Sequence, residues 1–432
     1  GSMESQSKRA LIATLLCVVV LVGWSRLMDW LYPPPSAVTA TAPALNQPVS
    51  EPNNAAVAAK SETAESAEAV KPVPDAHKPS DITGLSVKHE ATGEPIVLGD
   101  DRQDDSKKQF TNPYEMAVTL SQRGGGVEAI RLSRHRNNVP KDKRNPDHDP
   151  YDLLRPVANP KMGESEISFL TRQVLFVDDK HVVKLDDVNW SLQKSTDVKG
   201  ESAVATSVVQ RAGKEVFKLT KTYRLDKGSH ELGVTLEAWN LTDKHRKIVI
   251  TQGGPVGMKN EDPQRETRRI ITAVSDEKGM IVDGPLLMRD EAYKAEGGTK
   301  DLLPEEGRRF WWAAVGNKYF ACIISGQPLP GEKQPSYLGK VSARTFLDDP
   351  NSSDDLTFDE AICPHASIAP GGKLTFALDA FCGPKSDDLF DRLPHAKERA
   401  YHIIANADRS GCTFHVLQVA MLWLLTRLHR LV

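Results

Sequence analysis

Between residues 110 and 385 apolar residues recur with a period of two, and helical periodicity is nearly absent. Met116, Val118 and Leu120 alternate with polar residues. Arg123-Gly124-Gly125-Gly126 follows, and residues 127–132 resume an apolar pattern, which reads as strand, tight turn, strand. Phe217, Leu219, Tyr223 and Leu225 alternate in the same way, with Lys221 as the exception. After the turn Asp226-Lys227-Gly228, Leu232, Val234, Leu236 and Ala238 continue the alternation. Residues 248–251, 311–315, 319–324, 356–363 and 374–381 are further β-like runs. Many short strands joined by Gly, Pro and Asp turns predict a sandwich or related all-β architecture. No linker-like stretch divides residues 112–385, so one cooperative domain is expected.

What precedes this body has a different physics. Gly1 and Ser2 before Met3 read as a cloning scar. Lys8 and Arg9 lead into an apolar run over residues 10–22, with Leu15 and Val19 inside it, and Trp24, Trp30 and Tyr32 close it. A helix over 8–32 would be roughly 37 Å long at about 1.5 Å per residue, enough to cross a core of about 30 Å. Segment 3–32 is therefore expected to be a transmembrane anchor with its basic end in the cytoplasm and an aromatic belt at its outer end. A cleaved signal peptide is the alternative, with Ala40-Thr41-Ala42 as the small-residue site. Residues 33–84, rich in Ala, Pro, Ser, Glu and Val, cannot bury enough apolar area to offset the entropy of ordering. They predict a disordered linker.

After residue 385 the period changes again. Residues 387–393 predict a short helical turn before Pro394, and 396–407 a further helix. Residues 414–432 are apolar, but His415, Gln418, Arg427 and Arg430 interrupt them at helical spacing. With Trp423, Leu424 and Leu428 toward lipid and the two arginines toward headgroups, this resembles a helix lying in a membrane interface. An amphipathic helix packed on the β body is the alternative. Segment 386–432 is expected to hold the C-terminal helices, and the β body to occupy 85–385. The chain ends inside the apolar run, so it is expected to be part of a longer protein.

Composition narrows the function. A charged fraction of 26% against 39% hydrophobic residues excludes a multi-pass membrane protein over these 432 residues. A net charge of −3 gives no bias toward nucleic acid. Five cysteines are too few for a disulfide framework. Of these, Cys322, Cys363, Cys382 and Cys412 would face an oxidising compartment, as buried free thiols or with one bridge, Cys363–Cys382 being the natural hairpin pair.

No local motif announces chemistry. Gly124 to Gly126 lack the Lys-Ser/Thr of a phosphate loop. Cys363-Pro364-His365 has no second close pair to complete a metal set. The acidic stretch 348–355 lacks the Gly and closing Glu of a calcium loop and reads as solvated, as does the basic stretch around Arg134-His135-Arg136. No catalytic residue, metal or cofactor is expected.

The order of parts resembles the bacterial YidC family of membrane protein insertases. The start Met3-Glu4-Ser5-Gln6 with the anchor is similar to that family's start. So are, in order, Thr119-Leu120-Ser121-Gln122-Arg123-Gly124-Gly125-Gly126-Val127-Glu128 and Phe217-Lys218-Leu219-Thr220-Lys221-Thr222-Tyr223-Arg224-Leu225. Trp312-Ala313-Ala314-Val315 with Lys318-Tyr319-Phe320-Ala321, then Ala369-Pro370-Gly371-Gly372 and Cys382-Gly383-Pro384-Lys385, continue the match. Trp423-Leu424-Leu425-Thr426-Arg427-Leu428-His429 looks like the family's interfacial helix. The resemblance implies a β-supersandwich periplasmic domain on the cell inner membrane. It also implies an insertase and chaperone whose partners are the lipid bilayer, nascent membrane proteins and Sec translocon subunits. The family's core of five membrane helices, with its polar groove, is not found within these residues, so insertion by this segment alone is not expected. The other readings are a periplasmic carbohydrate-binding or mutarotase-like domain, which needs paired His and carboxylate groups in a cleft, and a membrane-anchored envelope scaffold.

Overall fold

The alternating runs form the strands of a large antiparallel sheet. Its spatial order is Leu85–Val87, Gly200–Arg211, Lys214–Asp226, Glu231–Asn240, Lys373–Pro384, Phe320–Gly326, Arg309–Gly316, Arg269–Ser275 and Ile281–Met288. Ser191–Thr196 also pairs with Gly200–Arg211. The last long strand, Lys373–Pro384, joins the two halves by pairing with Glu231–Asn240 on one side and Phe320–Gly326 on the other. A six-stranded antiparallel sheet runs Thr299–Leu302, Leu338–Thr345, Leu356–Ile368, Arg246–Gly253, Thr171–Phe176 and His181–Lys184. Smaller sheets are built from Ile96–Gly99, Met116–Leu120, Val127–Arg136 and Pro150–Leu154, and from Val157–Asn159 and Glu164–Glu166. The computed structural model describes residues 85–102, 111–137 and 149–407, apart from positions 162, 263, 277, 330, 336 and 337. The anchor and linker, and the helix over 414–432, lie outside the described residues.

Period two explains the layering. Leu219, Tyr223, Leu236, Phe376, Leu378 and Ile324 project from one face of the large sheet into the main core. Val174, Phe176, Ile250, Phe358, Ile362 and Val341 meet them from the six-stranded sheet. Phe176 and Phe217 touch edge to face across the two layers, 5.1 Å between centroids. The opposite face of the large sheet presents Ile271, Trp312, Ala314, Ile323 and Phe381 to the C-terminal helical cap, which contributes Phe390, Tyr401 and Ile404.

That cap differs from the single helix expected over 396–407. It consists of Asp387–Arg392, Pro394–Glu398 and His402–Asn406. The break falls at Ala400, whose φ of 54° leaves the right-handed region. The indole Nε1 of Trp312 donates to the carbonyl of the preceding Arg399, at 2.8 Å, holding the chain reversal against the sheet. A further helix, Arg289–Lys294, escaped the sequence reading because it spans fewer than two turns.

Arg123-Gly124-Gly125-Gly126 does make the turn between paired strands Met116–Leu120 and Val127–Arg136. It is no surface hairpin. Gly124 and Gly125 have φ of 57° and 54°, and a Cβ on Gly125 would lie 2.9 Å from the Trp190 ring. The Tyr223 hydroxyl donates to the Gly125 carbonyl at 2.6 Å. Glycine is thus required both by backbone conformation and by contact.

Candidate functional site

The six-stranded sheet carries a cleft of about 750 Å³, and charged side chains line it. A β-bulge creates its centre. Pairing slips at Arg172, so that Thr251 faces Gln173 while Gln252 faces Thr171. Simple alternation would send Arg172 inward beside Val174; the extra residue lets it turn outward instead. Its guanidinium then reaches Asp359 at 2.6 Å and Glu166 at 3.1 Å. Arg344, on the neighbouring Leu338–Thr345 strand, reaches Asp359 at 3.1 Å and Glu166 at 3.2 Å. Two arginines and two carboxylates thus close a ring of charge-assisted contacts. Nearby, Lys340 pairs with Asp301 at 2.6 Å, and the Ser342 hydroxyl donates to Asp301. Burial pushes the Asp186 carboxyl up, and the charge of Arg172 pulls the other way. The cleft therefore offers many donors and acceptors with its main charges already matched. Such a surface suits extended polar contact with a partner better than capture of a lone anion.

A second cleft, about 530 Å³, opens where strand ends meet and includes Phe176, Asp179, His181, Arg211 and Arg246. Arg246 pairs with Asp179 there.

Between the large sheet and the inner face of the six-stranded sheet lie two further polar groups, one from each. Lys221, the exception in the sequence alternation, points into the core and is fully buried. Its ammonium donates to the Phe169 carbonyl and the Thr171 hydroxyl, and burial drives its pKa well below the usual value. Glu360, one residue from Asp359, also faces inward. Neither of its carboxyl oxygens has a hydrogen-bond partner among the described residues. Burial, with the charge of Asp359 adding, raises its pKa to about 8, so it is largely neutral at pH 7.

Several sequence expectations are revised here. The acidic stretch is not simply a solvated loop. Asp355 is fully buried between Arg289 at 3.0 Å and Arg268 at 3.6 Å, while Arg289 also donates to the carbonyls of Asp349 and Pro350. In the basic stretch, Arg134 pairs with Glu115 at 2.7 Å and His135 packs edge-on against Phe320. Among the described residues no group of side chains is placed to hold a metal. Cys322 and Cys382 are buried free thiols, as expected, and Cys382 stands beside Cys322 rather than in the hairpin pairing also considered, with 3.5 Å between sulfurs.

His–carboxylate neighbours do occur, at His230 and Glu115, 3.8 Å apart, and at His395 and Glu231. His230 is buried, its pKa lowered to about 4 chiefly by that burial, and it lines neither cleft. The expected membrane-contacting residues Leu15, Val19, Trp24, Trp30, Trp423, Leu424, Arg427, Leu428 and Arg430 lie outside the described residues. Among the described residues no helix is long and apolar enough to cross a membrane. Sequence reading did not single out Glu166, Arg172, Arg344, Asp359 or Glu360. The usable signal was a charged residue at an inward position, as at Lys221 and Glu360.

No curated protein sequence matches the chain. A galactose mutarotase-like protein from Lactobacillus casei aligns at 11% identity and TM-score 0.41, covering 67% of this chain and 100% of its own. A putative aldose 1-epimerase from Escherichia coli aligns at 13% identity and TM-score 0.35, covering 62% and 96%. The family model of the YidC periplasmic domain matches residues 111–400, which takes in both sheets' principal strands and most of the helical cap. The chain therefore belongs to the YidC periplasmic domain family.

Proposed function

We propose that the chain is the anchor and periplasmic portion of a membrane protein insertase and chaperone that assists insertion and folding of inner-membrane proteins, alone or with the Sec translocon. The family match over residues 111–400 carries this reading. The role assigned to the β domain is positioning and partner contact, without catalysis. A polar segment can enter a bilayer only where its backbone groups are satisfied, because each unsatisfied group costs several kcal/mol in hydrocarbon. A β domain outside the membrane can instead hold an emerging chain or a translocon subunit near the surface. The charge-matched cleft supports that kind of contact.

In this reading the N-terminus is cytoplasmic and the main domain periplasmic. Leu15, Val19, Trp24 and Trp30 contact lipid within the anchor. Trp423, Leu424 and Leu428 contact it from a helix at the outer interface, with Arg427 and Arg430 at the headgroups. The test is reconstitution of the chain in liposomes with a substrate of a full-length insertase. The expected result is a blue shift of Trp423 fluorescence on lipid addition and no insertion above empty liposomes. Insertion by these residues alone would overturn the positioning role, and an unshifted Trp423 would remove the interfacial helix.

A further inference from the structure

Cys322 lies on Phe320–Gly326 and Cys382 on Lys373–Pro384, directly opposite each other in the antiparallel register. Both are fully buried on the face of the large sheet that meets the six-stranded sheet. The N–H of Cys382 donates to His230 on the other side of its strand, at 2.7 Å. The Cys322–Cys382 pair is therefore of the non-hydrogen-bonded type, in which opposing side chains approach most closely. The sulfurs are 3.5 Å apart. Closing to the roughly 2.05 Å of a disulfide needs each sulfur to move by less than about 1 Å.

We propose that Cys322 and Cys382 form a cross-strand disulfide in the folded protein, made during folding by exchange with a disulfide-bearing oxidant. One cysteine thiolate attacks the donor disulfide, giving a mixed disulfide and releasing one donor thiolate. The second cysteine thiolate attacks the cysteine sulfur of that mixed disulfide. The Sγ–Sγ bond forms and the other donor thiolate leaves. The pair loses two electrons, the donor disulfide gains them, and the two protons end on the donor thiols.

Timing follows from burial. In the folded chain burial pushes the Cys322 thiol well above its usual range, with Cys382 and Glu360 adding to the rise. A buried, protonated thiol is a poor nucleophile that no external oxidant reaches. Exchange therefore precedes docking of Lys373–Pro384, and the finished bond is shielded from reductant. Residues between the two cysteines build Leu338–Thr345 and Leu356–Ile368 of the other sheet, so the bond closes the excursion that links the layers.

The inference rests on the periplasmic reading only for its oxidising compartment. The test starts from full-length chain in cell envelopes, denatured with an alkylating agent present and peptide-mapped without reductant. The expected product is the Cys322 and Cys382 peptides joined, two hydrogens lighter than their sum. Alkylated Cys322, or Cys382 joined to Cys363, overturns the proposal. Protease access in spheroplasts fixes the compartment independently: a free pair in a protected, cytoplasmic domain overturns both readings, and a free pair in an accessible one overturns the disulfide alone. Reductant is expected to lower Tm by on the order of 10 °C, since the bond closes a long loop. The shift should persist in Cys363→Ala and vanish in the Cys322→Ala/Cys382→Ala double variant. If the double variant does not fold, the peptide map still decides.

Discussion

Asp359 in the cleft and Glu360 in the core are adjacent residues of one strand, yet their environments are opposite. Asp359 stands between two arginines on the outer face. Glu360 is buried on the inner face with no hydrogen-bond partner among the described residues. Four positions before Asp359, Asp355 shows a third outcome, fully buried but held between two arginines. The difference teaches that an acid's state is set by which face the strand turns it to and by what waits there. Guanidiniums meet the carboxylates of Asp355 and Asp359, whereas none meets Glu360, and burial raises its pKa.

The sharpest way to break this comparison is Asp355→Ala. It removes the carboxylate partner of the buried Arg289 guanidinium, while Arg268 keeps Glu266 at 2.6 Å, and loss of one partner from such a cluster costs about 3–5 kcal/mol. Denaturant unfolding should show a midpoint far below that of the parent; a change within about 0.5 kcal/mol would mean that the arginines find other partners.

Glu360→Gln comes next, read through pH. The folded pKa of Glu360 is raised from 4.5 to about 8. Its favourable neutral form is therefore fully present below pH 4.5 in both states, and stability is lost as pH rises through the folded pKa. Between pH 5 and 9 the parent should lose a few kcal/mol, roughly, from this group, and the Gln variant should flatten that decline. His230 acts with the opposite sign. Its folded pKa is lowered from 6.5 to about 4, so its contribution is present above pH 6.5 and lost as pH falls toward 4. The acidic limb should therefore remain in Glu360→Gln. A basic limb unchanged by that substitution would refute the assignment.

Asp359→Ala should cost less, about 1 kcal/mol, because Arg172 and Arg344 keep Glu166 and the cleft admits water. Smallest of all is the effect of salt. Raising ionic strength to 0.5 M should shrink the Asp359→Ala difference by a few tenths of a kcal/mol, and leave the Asp355→Ala difference nearly unchanged. Equal salt sensitivity at both sites would erase the distinction between cleft and interior.

Much of this architecture was legible in the sequence because period two is a strong signal over long strands. It placed Phe217, Leu219, Tyr223 and Leu225 on one face, and it marked Lys221 as the anomaly that proved to be a buried donor. The same parity puts Glu360 inward with Phe358 and Ile362, but its charge disguised it. Arg172 could not be read this way, since the bulge that turns it outward depends on pairing with Arg246–Gly253, far along the chain. Register hid Cys322 in the same manner: nothing local says that it faces Cys382 rather than leaving Cys363 as the partner. The helix break at Ala400 was hidden because alanine is a favoured helix residue, and packing against Trp312 overrides that preference.

The position of Lys373–Pro384 has a consequence for synthesis and export. Among the described residues, the strand that joins the two halves of the large sheet is also the last strand to leave the ribosome or the export channel. Until it arrives, Glu231–Asn240 and Phe320–Gly326 each present an unpaired edge open to wrong partners. At about 5–20 residues per second, the first half waits on the order of ten seconds for its neighbour. Completion of the chain thus acts as a clock. A ribosome stall or nascent-chain truncation ahead of residue 373 would leave two sticky half-sheets, and envelope quality control would meet an aggregation-prone chain instead of a slightly shortened domain.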